Sequence, residues 1–435
     1  MSDFWRLEQL ERITGGQWLV APADPAAAAT GLSHDTRTLA PGQLYLAVRG
    51  ENHDGHRFVE AALSAGAAAA IVSDDAALGP GPVLQVDDTV AALHELASAY
   101  RDELAKDGRC KVLAVCGSNG KTTTRHLLHH VLTACGFVGT QSPKSFNNHL
   151  GVPLTLLSAD PAHDFVACEI GTNHPGEIAS LSELVWPDAA IVTSIGREHL
   201  AFFKNLEAVA QEEATVLGFV RRGGLVVTPA SAAAAMMPFY DVAEGVTLLP
   251  LRDDAAVAGP FPLPGQHNRM NAALAGAVAQ WMGAPADRVA AAWPDADLPP
   301  GRLELKRFGQ NVTVLDDSYN ANPDSVRAAL DTLAATDHST SRRVAVLGEM
   351  KELGSASHAA HAEVADHARR RADMVVLIGE AFGAEPYDEN TAPDVAARLQ
   401  PGDLVLLKAS RGVRLERIVP EIENRFGPPG PDDRA

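Results

Sequence analysis

The chain has 435 residues, and at roughly 100–200 residues per domain that is room for two to four domains, three being the central expectation. Hydrophobic residues make up 46% and charged residues 21%, so each domain can bury an ordinary core. Against 36 Lys and Arg stand 55 Asp and Glu, a net charge of −19 that excludes a general nucleic-acid binder, because phosphate backbones want a basic face. One small anionic ligand stays open, since a loop of amides and a single Lys can oppose the global field.

The N-terminal segment from Met1 to Arg12 reads as an acidic amphipathic helix, not a signal peptide. The Ala-rich apolar stretches fall far short of the ~20 residues that span a bilayer. Cys110, Cys116, Cys135 and Cys168 form no CxxC pair and sit in apolar surroundings, as reduced thiols of a cytoplasmic protein do.

A first unit, 1–107, mixes short strands with Ala-rich helices: strand-like Gly42–Arg49, helical Phe58–Gly66, strand-like Ala67–Ser73 and a charged helix Ala91–Ala105, up to the Asp107-Gly108 break. The second unit, 108–299, changes rhythm. Lys111–Cys116 is a continuous apolar strand that enters a Gly loop and then a helix, Thr122–Cys135, closed by Gly136. Phe165–Ile170, Ala189–Ile195 and Leu225–Thr228 are further apolar runs, and a helix over Asn268–Met282 ends the unit. Such alternation predicts a parallel sheet covered on both faces. After Leu298-Pro-Pro-Gly301, the third unit, 300–435, repeats it with strands at Val312–Asp317, Arg343–Leu347, Met374–Ile378 and Leu404–Leu407, a smaller Rossmann-like domain. Its Pro/Gly-rich tail, Phe426–Arg434, is expected to fray. The predicted class is therefore α/β with three domains.

The chemistry concentrates in the second unit. Gly117-Ser118-Asn119-Gly120-Lys121-Thr122 lies between a strand and a helix, where consecutive N–H groups point at phosphate oxygens. Lys121 would reach the terminal phosphates and the Thr122 hydroxyl would touch Mg²⁺. Val115 stands where the longer G-x-x-x-x-G-K-[ST] pattern has its first Gly, so the loop is a shortened variant. No G-x-G-x-x-G follows a strand, which argues against a dinucleotide cofactor. Glu169 ends the next apolar strand and His199 follows the one after, so the topology brings an acid, an imidazole and a phosphate loop to one crevice. A carboxylate in an apolar run needs a partner, and a divalent cation is the first choice. Taken singly, Glu169 could instead pair with a Lys, and His199 could be an ordinary loop residue. His126, His129 and His130, at i, i+3, i+4, have metal-ligand spacing but no accompanying acid or Cys, and read as a solvated or half-buried helix face; His358, His361 and His367 read the same way.

These residues, with others in order along the chain, resemble the Mur ligase family of peptidoglycan synthesis. Ser33-His-Asp35-Thr-Arg37, Pro41–Tyr45 and Gly50–His56, the last containing Asp54 and His56, look like its uridine-binding N-terminal domain. Gly117–Thr123 looks like its phosphate loop, Phe146-Asn147-Asn148-His-Leu-Gly-Val-Pro153 like its Asn-Asn substrate loop, and the segments at Glu169 and His199 like its Mg²⁺-binding strand ends. Gly265–Asn271, with Asn268, and Gly301-Arg302 look like nucleotide-contacting elements. Asp317-Ser-Tyr-Asn320-Ala-Asn322-Pro323 and Leu347–Gly354 point to the branch that joins D-alanyl-D-alanine to UDP-N-acetylmuramoyl-tripeptide, and the Asp-Asn-Pro-Arg motif of the branch that adds the third amino acid is lacking.

The resemblance implies ATP-dependent amide ligation with Mg²⁺ through an acyl phosphate, in the cytoplasm, by a monomer. It gives Lys121, Glu169 and His199 catalytic roles, with Thr122, Glu169 and His199 holding the metal. Arg302, Asp317, Asn320 and Asn322 would complete the site from a hinged third domain. Lys408 and Arg411 are candidates for the dipeptide carboxylate or the acyl phosphate, although a solvated strand-end Lys408 is an equal reading. Two departures stand out. The family's carbamylated Lys, which helps bind a second Mg²⁺, falls on Glu213, whose carboxylate could replace the carbamate. Pro143-Lys-Ser145 replaces the Gly-Asn usual before Asn-Asn. A ligase of the same type joining a different carboxylate and amine is the alternative.

Overall fold

A computed structural model describes residues 3–50, 53–74, 78–336 and 342–428, so Glu51 and Asn52 of the first unit's motif, and the tail beyond Pro428, lie outside the described residues. Three sheets follow one another along the chain. The first contains β1 (Gln17–Val20), β2 (Leu32–Ser33), β3 (Leu44–Leu46), β4 (Ala69–Val72) and β5 (Val83–Gln85) in the order β1-β5-β4-β3-β2. The second contains β6 (Lys111–Cys116), β7 (Gly139–Gln141), β8 (Phe165–Glu169), β9 (Ala189–Val192), β10 (Leu225–Pro229) and β11 (Thr247–Leu251) in the order β11-β10-β9-β6-β8-β7, parallel throughout. The third contains β12 (Glu304–Phe308), β13 (Val312–Asp317), β14 (Arg343–Gly348), β15 (Met374–Ile378) and β16 (Leu404–Lys408) in the order β12-β13-β16-β14-β15. Only β1 on β5 and β12 on β13 run antiparallel. The α/β class is as expected.

Alternate residues of β6 enter different cores. Val112, Ala114 and Cys116 pack on one face with Val166, Cys168, Ala190 and Val192, whereas Leu113 and Val115 pack on the other with Phe165, Ala167 and Ile191 under the helix Gln266–Trp281. A strand buried on both faces has no polar alternation, which is why it reads as one apolar run. β6 lies between β8 and β9, so the chain leaves it to one side and returns on the other, opening a crevice at its carboxyl end.

Six strands were not expected: β1, β2, β5, β7, β11 and β12. Five are edge strands with half-buried, mixed or exposed residues (β11 even contains Pro250), and edges need not be apolar; β5, inside its sheet, has only three residues, too few to mark a run. Helix ends also moved: Asp88 caps Val90 and Ala91, so the first unit's long helix spans Thr89–Ala105. All four cysteines are free, with Cys110, Cys116 and Cys168 buried and Cys135 half-buried. Among the described residues no helix is long and apolar enough to cross a membrane.

Candidate active site

The carboxyl ends of β6, β8 and β9 face those of β13 and β16 across one cavity of about 860 Å³. Ser118–Thr123, Asn147, Asn148, Glu169, Glu198 and His199 line it from the second unit, and Arg302, Asp317, Asn320, Asn322, Lys408 and Arg411 from the third; Asn268 contributes from the intervening helix. Sequence reasoning therefore gathers residues from distant segments into one place.

The loop is built by two glycines. Gly117 has φ +110°, and a Cβ there would lie 2.5 Å from Thr193 Oγ1 and 2.7 Å from its backbone nitrogen; Gly120 has φ +86° and abuts Asn271 Oδ1 at 2.8 Å. Any side chain at either position would meet both a forbidden φ and occupied space. The helix Lys121–Ala134 then starts directly at the cavity. Lys121 Nζ donates to Gly117 O at 2.5 Å and Ser118 O at 3.3 Å, and lies 3.4 Å from Glu198 Oε2. Burial pulls the Lys121 ammonium down, but the carboxylates of Glu198, Glu213 and Glu169 together overcome it and raise its pKa.

Glu169 is 1% exposed and its carboxylate is hydrogen-bonded on both oxygens. Its Oε1 accepts from Thr122 Oγ1 at 3.1 Å and Asn147 Nδ2 at 3.0 Å, and its Oε2 from Arg125 Nε at 3.3 Å. The buried carboxylate thus has a cationic partner, Arg125, four residues after Lys121, where the expectations were a divalent cation or, for Glu169 taken singly, a Lys. Arg302 Nη2 donates to the same Thr122 hydroxyl at 3.3 Å and stacks its guanidinium 4.2 Å from the Tyr319 ring centroid, while its Nε is buried without a partner.

His199 sits at φ +47°, a left-handed backbone that a β-carbon resists. Its Nδ1 lies 2.6 Å from Glu352 Oε2, close but not aligned as a hydrogen bond, and its Nε2 lies 3.8 Å from Glu198 Oε2. Glu198 was missed by sequence reasoning. It is 6% exposed and adjacent to His199, and burial raises its pKa even though Lys121 and His199 oppose the shift. A second acid at the same strand end was the available signal.

Glu213 is fully buried but lies behind the loop, not in the cavity lining. Its Oε2 accepts the Gly117 N–H at 2.9 Å, and its Oε1 has no partner, like Glu198 Oε1. Burial, then the charge of Glu198, raises its pKa. Unpaired buried acceptors beside one ammonium make a cation-seeking environment.

Other expected residues are placed as follows. Asn322 caps the helix Pro323–Ala335 through Ser325 N at 2.8 Å and donates to Asn119 Oδ1 at 2.7 Å, so its amide ties the third unit to the phosphate loop. Lys408, 3% exposed, is no solvated strand-end residue: it pairs with Asp317 Oδ2 at 2.6 Å and donates to Asn320 O at 2.9 Å. Arg411 pairs with Glu416 at 3.0 Å and is exposed. Ser33 ends β2, Asp35 and Arg37 lie in the turn after it, and Asp54 caps the short helix Gly55–Phe58 that carries His56; none of the five lines the cavity. Arg37 grips Asp35 with both Nε and Nη2, holding its carboxyl well below the usual range, and the His56 ring holds Asp54 down to about 2. Ser145 meets the Tyr319 hydroxyl across the cavity.

The first histidine helix spends its rings on protein partners: His126 pairs with Asp297 at 2.6 Å, His130 bonds Ala292 O at 2.8 Å, and His129 meets Phe165 edge-on. The second histidine set, expected on a solvated or half-buried face, is split: His358 is exposed, but the other two are buried. His361 is 1% exposed and His367 8%, because the helix Ser357–Arg369 turns them toward the Met350 loop and Asp331.

Comparison with known proteins gives the family. The Mur ligase middle-domain model matches residues 115–243, the Mur ligase glutamate ligase domain model residues 301–411, and the Mur ligase family catalytic-domain model residues 28–101. The chain belongs to the Mur ligase family. This Mur ligase is 32% identical to the UDP-N-acetylmuramoyl-tripeptide–D-alanyl-D-alanine ligase of Escherichia coli, over 96% of this chain and 98% of that one. It is 34% identical to the ligase of the same name from Mycobacterium tuberculosis H37Rv, over 94% and 96%. A crystal structure of MurF from Acinetobacter baumannii superposes with a TM-score of 0.83 at 27% identity, covering 97% of this chain and 99% of that one.

Proposed function

We propose that this Mur ligase joins D-alanyl-D-alanine to UDP-N-acetylmuramoyl-tripeptide with conversion of ATP to ADP and phosphate. Relatives bearing that activity in their names match nearly the whole chain, and the observation that carries the reading is Lys121, set in a Gly-built loop at the floor of a cavity lined from both units. A carboxylate oxygen of the tripeptide attacks the γ-phosphorus, the bond to ADP breaks, and an acyl phosphate forms. The dipeptide amine attacks the acyl carbon, an amide bond forms, phosphate leaves and the amine loses a proton.

In this reading the N–H groups of Gly117–Thr122 cradle the phosphates and Lys121 offsets charge on the transferring group. Asn147 and Asn148 position the tripeptide end, and Lys408 and Arg411 face the dipeptide. Asn268, Arg302, Asp317 and Asn320 flank the nucleotide. Ser33, Asp35, Arg37, Asp54 and His56 hold the uridine end at the first sheet. Fixing both substrates in one cavity supplies the proximity term.

Mg²⁺ fits the residues present: hard oxygen donors converge, and Glu198 Oε1 and Glu213 Oε1 are buried acceptors without donors. Thr122, Glu169 and His199 would hold it, with Glu213 in place of the carbamylated Lys. When bound, the ion neutralises phosphate charge. The reading includes units divided near residues 107 and 299, a monomeric state and a cytoplasmic location.

The test is phosphate release with UDP-N-acetylmuramoyl-tripeptide, D-alanyl-D-alanine and Mg-ATP, omitting each in turn. Release should require all of them. No ADP from the complete mixture, with folded protein, rejects the reading; turnover without a peptide acceptor would make it a plain ATPase.

A further inference from the structure

Arg197, between Gly196 and Glu198, makes the most elaborate polar contact between the second and third units. Its Nε and Nη2 donate to Asp324 Oδ1 at 3.0 and 2.8 Å, and its backbone N–H donates to Asp324 Oδ2 at 2.7 Å. Its Nη1 and Nη2 donate to Glu363 Oε2 and Oε1 at 2.8 and 3.1 Å. Asp324 stands in the first turn of Pro323–Ala335 and Glu363 on Ser357–Arg369, two helices of the third unit. Arg327 steadies Glu363 at 3.0 Å. Planar forks on two carboxylates are specific in geometry as well as favourable in energy.

The flanking residues connect this contact to the phosphate loop. Gly196 N–H donates to Ser118 Oγ at 2.8 Å, and Ser118 Oγ donates to Gly196 O at 3.2 Å. Next comes Glu198, 3.4 Å from Lys121 Nζ, then His199 in its left-handed turn. One short segment is therefore pinned to the phosphate loop through Gly196 and to the third unit through Arg197, and it carries two candidate site residues. The Arg197 side chain is 30% exposed, too solvated for its ion pairs to add much to folding. Such a contact can be made and released while each unit stays folded.

We infer that Arg197 is a positioning residue, a latch that couples docking of the third unit to the placement of Glu198 and His199 beside the phosphate loop. Undocking would leave that segment without its outer anchor, so only the latched population would turn over, and the observed rate would scale with it. The activity arm of the test rests on the ligase reading; the structural arm does not.

The experiment compares wild type, Arg197→Met, Arg197→Lys, Glu363→Gln and the double variant Arg197→Met/Glu363→Gln. Arg197→Met should lower kcat about tenfold or more, leave KM for the uridine nucleotide within about twofold, and move the Tm by no more than about 2 °C. Arg197→Lys keeps the charge but loses the fork, and should fall between. The double variant should be no worse than Arg197→Met, because the two act through one contact. In small-angle scattering with AMP-PNP and Mg²⁺, Arg197→Met should stay more expanded than wild type. Wild-type turnover in Arg197→Met overturns the latch, as does additive loss in the double variant or scattering identical to wild type. If wild type ligates none of the proposed substrates, the ligase reading fails while the scattering comparison still decides the latch.

Discussion

Two buried lysines face each other's sheets across the cavity and are partnered in opposite ways. Lys121 stands among Glu169, Glu198 and Glu213, and their combined charge raises its pKa despite burial. Lys408 has one carboxylate, Asp317, and a backbone carbonyl; burial prevails there and its pKa is lowered. Around Lys121, two carboxylate oxygens lack donors, whereas the Lys408–Asp317 pair is closed. The second unit is a charge-unbalanced site awaiting ligands, and the third offers a finished surface that docks onto it. A protein with −19 net charge binds anions by such local devices, not by its global field.

Replacing each lysine by Met should break the symmetry of burial and expose the asymmetry of role. Lys121→Met should lower turnover about 10³-fold, the scale of removing a donor aimed at developing charge. It also leaves buried acids without their cation, a change that costs about 3–5 kcal/mol in comparable cases, so its Tm should drop as well. Lys408→Met should cost about 10²-fold through misplacement of Asp317 and the Asn320 segment. Steady-state rates and melting curves of both variants decide it. Equal losses would mean that both lysines act alike on the reacting groups, and the contrast drawn here would be wrong.

Glu213→Gln sharpens the same comparison on the second unit. The amide oxygen can still accept the Gly117 N–H, so the loop should persist, but the charge is gone. The half-saturating Mg²⁺ concentration should rise about tenfold, the usual effect of weakening support around a bound ion. With Glu213 in place of the carbamylated Lys, wild-type turnover should not change between bicarbonate-supplemented and CO₂-depleted buffer. Unchanged Mg²⁺ dependence in Glu213→Gln would reduce the residue to a prop for the phosphate loop.

How far the sequence carried the reading follows the same physics. β6, β8, β9 and β10 are legible because burial on two faces demands unbroken apolar runs, and β7, β11 and β12 are not because an edge strand makes no such demand. The phosphate loop is legible because Gly117 and Gly120 are required by backbone geometry. Glu198 was not, since a loop residue has no periodicity to mark its burial. Arg197 and Asp324, or Ser145 and Tyr319, are more than 120 residues apart in pairs that only the docking of units creates. Asp35, Arg37, Asp54 and His56 were proposed by motif alone, and the structure leaves them in the first unit, outside the cavity lining.

The smallest effect concerns the third unit's dependence on a histidine that looked like helix surface. His361 Nε2 accepts the Met350 N–H at 3.0 Å, and its Nδ1 faces Ser357 O at 2.7 Å, so the neutral ring with the proton on Nδ1 satisfies both neighbours. Burial lowers its pKa below the ordinary 6.5, with the Ser357 carbonyl opposing. Protonation would aim a second N–H at the Met350 N–H, two donors face to face. Because the folded pKa is depressed, the unfolded chain takes up the proton first; the stabilisation is present above about pH 6.5 and is lost as pH falls through the folded pKa. The same loop carries Lys351 and Glu352, the latter 2.6 Å from His199 Nδ1, so loosening it also loosens the cavity wall. His361→Gln can accept the Met350 N–H through its amide oxygen and does not titrate. Between pH 7.5 and 5.5, wild type should lose about 1–2 °C more in Tm than His361→Gln. The other histidines whose pKa is lowered, His129 and His267, are common to both proteins and cancel in the difference. Parallel melting curves across that range would show that the Met350 loop does not depend on the charge state of His361.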